Sequence, residues 1–127
     1  MTNLPTVYKI LTAALWREAE RAGVFRGSAV DLRDGFIHLS SAGQVAETAA
    51  RHFAGQTDLV LLSVDASKLV GTLRWERSRG GALFPHLYDA LDLAAVTRVE
   101  PLPLAPDGAH LFPPLDPQAG RQIQINP

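Results

Sequence analysis

The chain contains no cysteine, which excludes disulfides, thiolate zinc sites and a cysteine nucleophile together. It has no excess of either charge: twelve basic and thirteen acidic residues nearly cancel, and no run of Lys or Arg stands out. The electrostatic footprint of a dedicated duplex-nucleic-acid binder is therefore missing. No apolar stretch approaches the roughly 20 residues of a membrane span, so Leu59 to Leu62 reads as a buried strand. Residues 1 to 12 hold Asn3, Pro5, Tyr8 and Lys9 in place of a basic patch and an apolar run. No secretory signal is expected, and a cytoplasmic location is. A glycine-rich phosphate loop, a Gly-x-Ser-x-Gly elbow and a His-Glu-x-x-His helix are all lacking.

What remains is a globular composition, 46% apolar and 20% charged, on 127 residues, enough for one hydrophobic core. Hydrophobic periodicity predicts an α+β domain. Thr6 to Leu11 reads as a strand, and Thr12 caps a helix over Ala13 to Ala22 that Gly23 stops. Leu15, Ala19 and Ala22 form its apolar stripe. Val24 to Arg33 shows no sustained period and reads as a loop with at most one helical turn. Asp34-Gly35 signals a turn into a short strand, Phe36 to Leu39. Ser40 or Ser41 caps a second helix reaching Phe53, with Gln44 at capping-box spacing from Ser41 and Gly55 as its stop.

Strands follow at Leu59 to Val64 and Thr72 to Glu76, and a last one at Leu93 to Leu102; Asp65 to Val70 reads as a turn or 3₁₀ piece and Gly80-Gly81 as a hinge. Because Pro85 cannot donate to a ladder, Phe84 to Tyr88 is expected at a sheet edge or in a loop. Seven of the nine prolines lie from residue 101 onward. The expected organisation is a single domain over residues 1–105 and a proline-rich tail over 106–127, extended or partly disordered.

His38 is the polar exception on an apolar strand, just before a capped helix whose N–H groups suit anions or polar ligands. A half-buried histidine satisfied by a carbonyl fits the same position, so a function requires partners. Ser40 doubles as a cap. Glu76, His86 and Tyr88 complete the small set of groups able to transfer protons or stack, although each also fits a purely structural place. His38 and His86 with Glu76 or Asp89 lack any ligand spacing, so no metal is expected. His52, late in a helix, and His110, in the tail, look peripheral.

The run Asp34-Gly35-Phe36-Ile37-His38-Leu39-Ser40, followed by a helix and then by Glu76 and Phe84-Pro85-His86-Leu87-Tyr88, resembles the bacterial domain of unknown function nine hundred and fifty-two. The resemblance covers roughly Val7 to Leu102. That family is grouped with the ADP-ribosyltransferase superfamily, and the resemblance implies an ADP-ribosyltransferase-like fold: a small mixed, bent, split β-sheet with two main helices and a cleft for NAD. It further implies that His38 and Ser40, as the superfamily's His-x-Ser, hold the nicotinamide end, that Tyr88 stacks on it, and that Glu76 or His86 acts at the reacting centre. Breaking the nicotinamide bond develops positive character on the ribose, which a carboxylate in a water-poor cleft stabilises.

Three alternatives stay open. The cleft can bind NAD or a related nucleotide without turnover, as a small-molecule-binding module. One superfamily branch removes a 2′-phosphate from RNA with histidine and several arginines, for which Arg26, Arg33 and Arg74 are candidates. A protein-docking role for Phe84 to Tyr88 or the tail ranks last, because Pro103 with Pro106 and Pro114 with Pro117 lack flanking cations. No membrane partner is expected, and the sequence leaves the oligomeric state open.

Overall fold

The structure is a computed structural model and describes residues 6–116. It is an α+β fold of three helices and several small antiparallel sheets. Strand β1 (Thr6–Thr12) runs directly into helix α1 (Ala13–Ala22), where the Thr12 hydroxyl accepts from Leu15 N–H and Gly23, at φ 79°, ends the helix in the left-handed region. Leu15 and Trp16 pack on the core beside buried Ala19, whereas Ala22 faces solvent. The apolar stripe is thus rotated from the expected one.

The expected loop over 24–33 is instead structured. It holds strand β2 (Val24–Phe25) and helix α2 (Ala29–Asp34). Six residues show too little periodicity to be read as a helix, but Ser28 N–H donates to Asp31 Oδ2 at 2.8 Å, half of a capping box, and Gly35 closes the other end at φ 88°. Strand β3 (Ile37–His38) follows. Helix α3 (Val45–His52) begins later than expected: residues 42–44 form a turn, and Ser41 N–H donates to Gln44 Oε1 at 3.0 Å.

Strands β4 (Leu59–Asp65), β5 (Leu73–Arg77), β6 (Leu83–Leu87), β7 (Leu91–Asp92) and β8 (Val96–Pro101) complete the fold, with 3₁₀ turns at Ala66–Leu69 and Leu93–Ala95. The last of these turns shortens the expected strand over 93–102. Strands order as β1-β4-β8, β2-β7 and β3-β6-β5. A mixed sheet was expected; every strand pair among the described residues is antiparallel. The split between the two three-stranded sheets is bridged where Tyr8 and Ser40 exchange backbone hydrogen bonds of 2.7 and 2.9 Å.

The placement of Phe84 to Tyr88 is corrected as well. Strand β6 is central, not an edge. Pro85 is tolerated because only its carbonyl is used, accepting from Leu39 N–H at 3.0 Å, and β3 stops pairing at His38, where a donor from residue 85 would next be needed.

Two apolar clusters form the core. One gathers Val7, Leu11, Phe25, Ile37, Leu62 and Leu91; the other gathers Tyr8, Ile10, Val45, Leu61 and Leu102 on the opposite face of β1 and β4. Phe112 and Leu115, from the proline-rich segment, pack on the second cluster. Up to Asp116 that segment is irregular but docked: Asp116 N–H donates to the Tyr8 hydroxyl at 2.9 Å, and its carboxylate accepts from Thr6 and Arg98. The part of the tail beyond 116 lies outside the described residues. Among those described, no helix is long and apolar enough to cross a membrane.

Candidate functional site

Antiparallel pairing fixes the centre of the site. His38 and His86 are cross-strand partners, and Arg74 pairs with His86 on the other side, so all three project from one face of the β3-β6-β5 sheet. Phe36 joins them. Its ring stacks on His86 with centroids 4.0 Å apart and 25° between planes, and lies 4.5 Å from His38 and 5.2 Å from Tyr88. The two imidazoles themselves meet edge-on at 5.7 Å.

Behind His38 lies a network that the sequence reading did not anticipate. Asp31 is 2% exposed and accepts through Oδ1 from His38 Nδ1 at 2.7 Å and from the His38 backbone N–H at 3.0 Å. The Lys9 ammonium lies 2.9 Å from Asp31 Oδ2 and donates to the His38 carbonyl at 2.9 Å. Burial alone would raise the Asp31 carboxyl, but hydrogen bonds from His38, the charge of Lys9 and the Ser28 N–H together hold it well below the usual carboxylate range. Burial lowers Lys9 below its ordinary value, against the opposing pull of Asp31.

On the solvent side His38 Nε2 lies 3.0 Å from Asp34 Oδ2. Carboxylates only accept, so His38 donates to Asp31 and Asp34 together only as the imidazolium. The signals for this network were the Ser28-x-x-Asp31 spacing and a lysine in the middle of an apolar strand.

His86 anchors a second chain of contacts. Its Nδ1 lies 2.8 Å from Glu76 Oε1, which also accepts from the Tyr88 hydroxyl at 2.7 Å. These bonds, Tyr88's first and His86's second, lower the Glu76 carboxyl, and the same carboxylate raises the Tyr88 phenol. The Arg74 guanidinium stands 5.4 Å from the centre of the Tyr88 ring.

Ser40 is not a helix cap. Thr48 commits its hydroxyl hydrogen to the Gln44 carbonyl at 3.1 Å, so Ser40, 3.0 Å away, donates to Thr48. Gln44 in turn clips α3 to β6 by donating to the Leu83 carbonyl at 2.7 Å.

A cavity of about 830 Å³ opens between these elements, lined by polar groups that include Asp34, His38, Ser40 and His86 and by apolar groups such as Leu39 and Phe84. Its size falls in the range of small-molecule sites. Of the five sequence-predicted site residues, His38, Ser40 and His86 meet on this cavity, while Glu76 and Tyr88 stand behind His86 and are not among its lining residues. His52, expected to be peripheral, lines the cavity. Arg33 does so too and pairs with Asp34 at 2.9 Å.

Residues 10–99 match the family described as "Protein of unknown function (DUF952)". The chain belongs to that family. This DUF952 chain is similar to protein CC0527 from Caulobacter crescentus: in the X-ray crystal structure the two are 55% identical over 84% of this chain and 93% of that one, with a TM-score of 0.81. In the solution NMR structure of the same protein the values are 56%, 82%, 90% and 0.75. No curated protein matches the DUF952 chain.

Proposed function

We propose that this protein binds NAD or a related nucleotide in the cavity around His38, as an ADP-ribosyltransferase-like protein. The observation that carries the reading is the convergence of His38, Ser40 and His86 on one cavity of about 830 Å³. It is supported by the His38-x-Ser40 order at a strand end before a helix, and by the rigid seating of His38 against buried Asp31. In this reading His38 and Ser40 hold the ligand, His86 faces the reacting centre with Glu76 behind it, and Tyr88 supplies an exposed ring beside them. A bound dinucleotide would supply the scissile glycosidic bond for ADP-ribose transfer or hydrolysis.

A second reading, binding without turnover, draws on one observation. Glu76 is engaged with Tyr88 and His86 and does not line the cavity, so the carboxylate best placed on the cavity wall is Asp34. The RNA 2′-phosphate reading has less support, because Arg33 is paired with Asp34 and Arg74 lies over Tyr88 instead of converging on His38.

Titration of isotope-labelled protein with NAD, followed by backbone amide NMR, tests the proposal. The expected result is shifts clustered at residues 36–44 and 76–88 that weaken in His38→Ala. No shift at millimolar NAD would overturn it. NAD hydrolysis by the wild type, lost in His38→Ala, would separate the catalytic version from binding alone.

A further inference from the structure

His86 is 5% exposed, and among the described residues its Nε2 has no hydrogen-bond partner. A buried polar nitrogen without a partner is costly, and here it belongs to a ring that lines an open cavity. The tautomer of its neutral ring follows from its neighbour. Glu76 Oε1 accepts from the Tyr88 hydroxyl and, as a carboxylate, can only accept from His86 as well. The hydrogen of the neutral ring therefore sits on Nδ1, and Nε2 carries the lone pair.

Ser40 reaches the same condition independently. Its hydrogen is committed to Thr48, so what it turns toward the cavity is also a lone pair. Asp34, which also meets Arg33 and His38, adds a third acceptor to the cavity lining. A phosphodiester or a diphosphate bridge, which only accepts, finds no complement in these three acceptors, whereas a group with neighbouring hydroxyl donors does.

We infer that the wall formed by His86 Nε2 and Ser40 Oγ is a sugar-hydroxyl subsite that takes the diol of a ribose, with Glu76 as the positioning residue that sets the His86 tautomer. This rests on the nucleotide-cavity reading for the source of the ribose, but the tautomer is a property of the free protein. Fixing an acceptor in advance makes the subsite select against ligands lacking the donor, because such a ligand would bury Nε2 unsatisfied.

Two measurements test it. Imidazole ¹⁵N NMR of the free protein is expected to show His86 with Nδ1 protonated and Nε2 unprotonated, and Glu76→Gln, whose amide can donate or accept, to lose that single tautomer while the amide spectrum stays folded. An Nε2-protonated His86 in the wild type overturns the inference whatever NAD does, and this arm stands even if Glu76→Gln fails to fold. Adenosine is then compared with 2′,3′-dideoxyadenosine. Adenosine should move the His86 Nε2 resonance and bind about tenfold more tightly or better, the effect of one unmade hydrogen bond to a buried acceptor. Equal affinities, or no response to adenosine, overturn the subsite. Failure of NAD alone, with adenosine still bound at His86, overturns the dinucleotide reading and leaves the subsite intact.

Discussion

Asp31 Oδ1 lies 2.7 Å from His38 Nδ1, while Oδ2 of the same buried carboxylate lies 2.9 Å from the Lys9 ammonium. One side chain thus ties β1, α2 and β3 together and orients the histidine at the mouth of the cavity. Removing one member of a buried ion pair leaves the other charge uncompensated, at a cost of about 3–5 kcal/mol. Asp31→Asn is accordingly expected to destabilise the protein by about that amount in urea denaturation, whereas Asp34→Asn, at an exposed carboxylate, should change stability little. Equal effects of the two would show that the Lys9–Asp31–His38 network does not hold the fold.

The same carboxylate sets an acid limit. Its folded-state pKa is depressed below that of the unfolded chain, so below the ordinary carboxylate range the unfolded state binds more protons. The stabilisation is fully present above the unfolded value and is lost as pH falls through the folded one. Stability measured from pH 7 downward should therefore drop below about pH 4, the ordinary aspartate value. The drop should be clearly shallower in Asp31→Asn; parallel curves for the two proteins would assign the acid sensitivity elsewhere.

The main elements were legible because their signals are local. Thr12 and Gly23 bracket α1 by their capping chemistry, alternation marks β1, and a short apolar run marks β4. His38 was legible because a polar residue on an apolar strand is conspicuous, Ser40 and His86 through their chemistry and the family resemblance, and the three do share a cavity. What was not legible is non-local. Asp31 lies on a six-residue helix too short for a period, and its partner Lys9 stands 22 positions away on another element. The register that sets His38 opposite His86 depends on β6 being central, which Pro85 argued against. Phe36 reads as one more core residue until that register stacks it on His86.

The two tyrosines have raised pKa values for different reasons. Burial comes first for Tyr8, the hydrogen bond to Glu76 for Tyr88. Glu76→Gln should therefore lower the Tyr88 titration toward the ordinary phenol value and leave that of Tyr8 in place, followed by ¹³Cζ shifts against pH. If Tyr88 does not move, Glu76 is not its partner and does not accept from Tyr88 and His86 together.

The segment after β8 belongs to the stability of the domain as far as Asp116. Phe112 and Leu115 cover the cluster around Tyr8, Ile10 and Leu102, and Asp116 bonds to Thr6, Tyr8 and Arg98. Fully burying one large apolar side chain contributes about 1.5–3 kcal/mol, and these two are only partly buried, so cutting the chain after residue 110 should cost about 2–3 kcal/mol. Cutting after residue 116 keeps every one of those contacts and should leave denaturation midpoints unchanged by comparison. A large loss on cutting after residue 110 and none on cutting after residue 116 would assign residues 111–116 to the folded unit. If both truncations behave like the full chain, the packing of Phe112 and Leu115 contributes nothing measurable, and Tyr8 would have to be held by β4 and Ser40 alone.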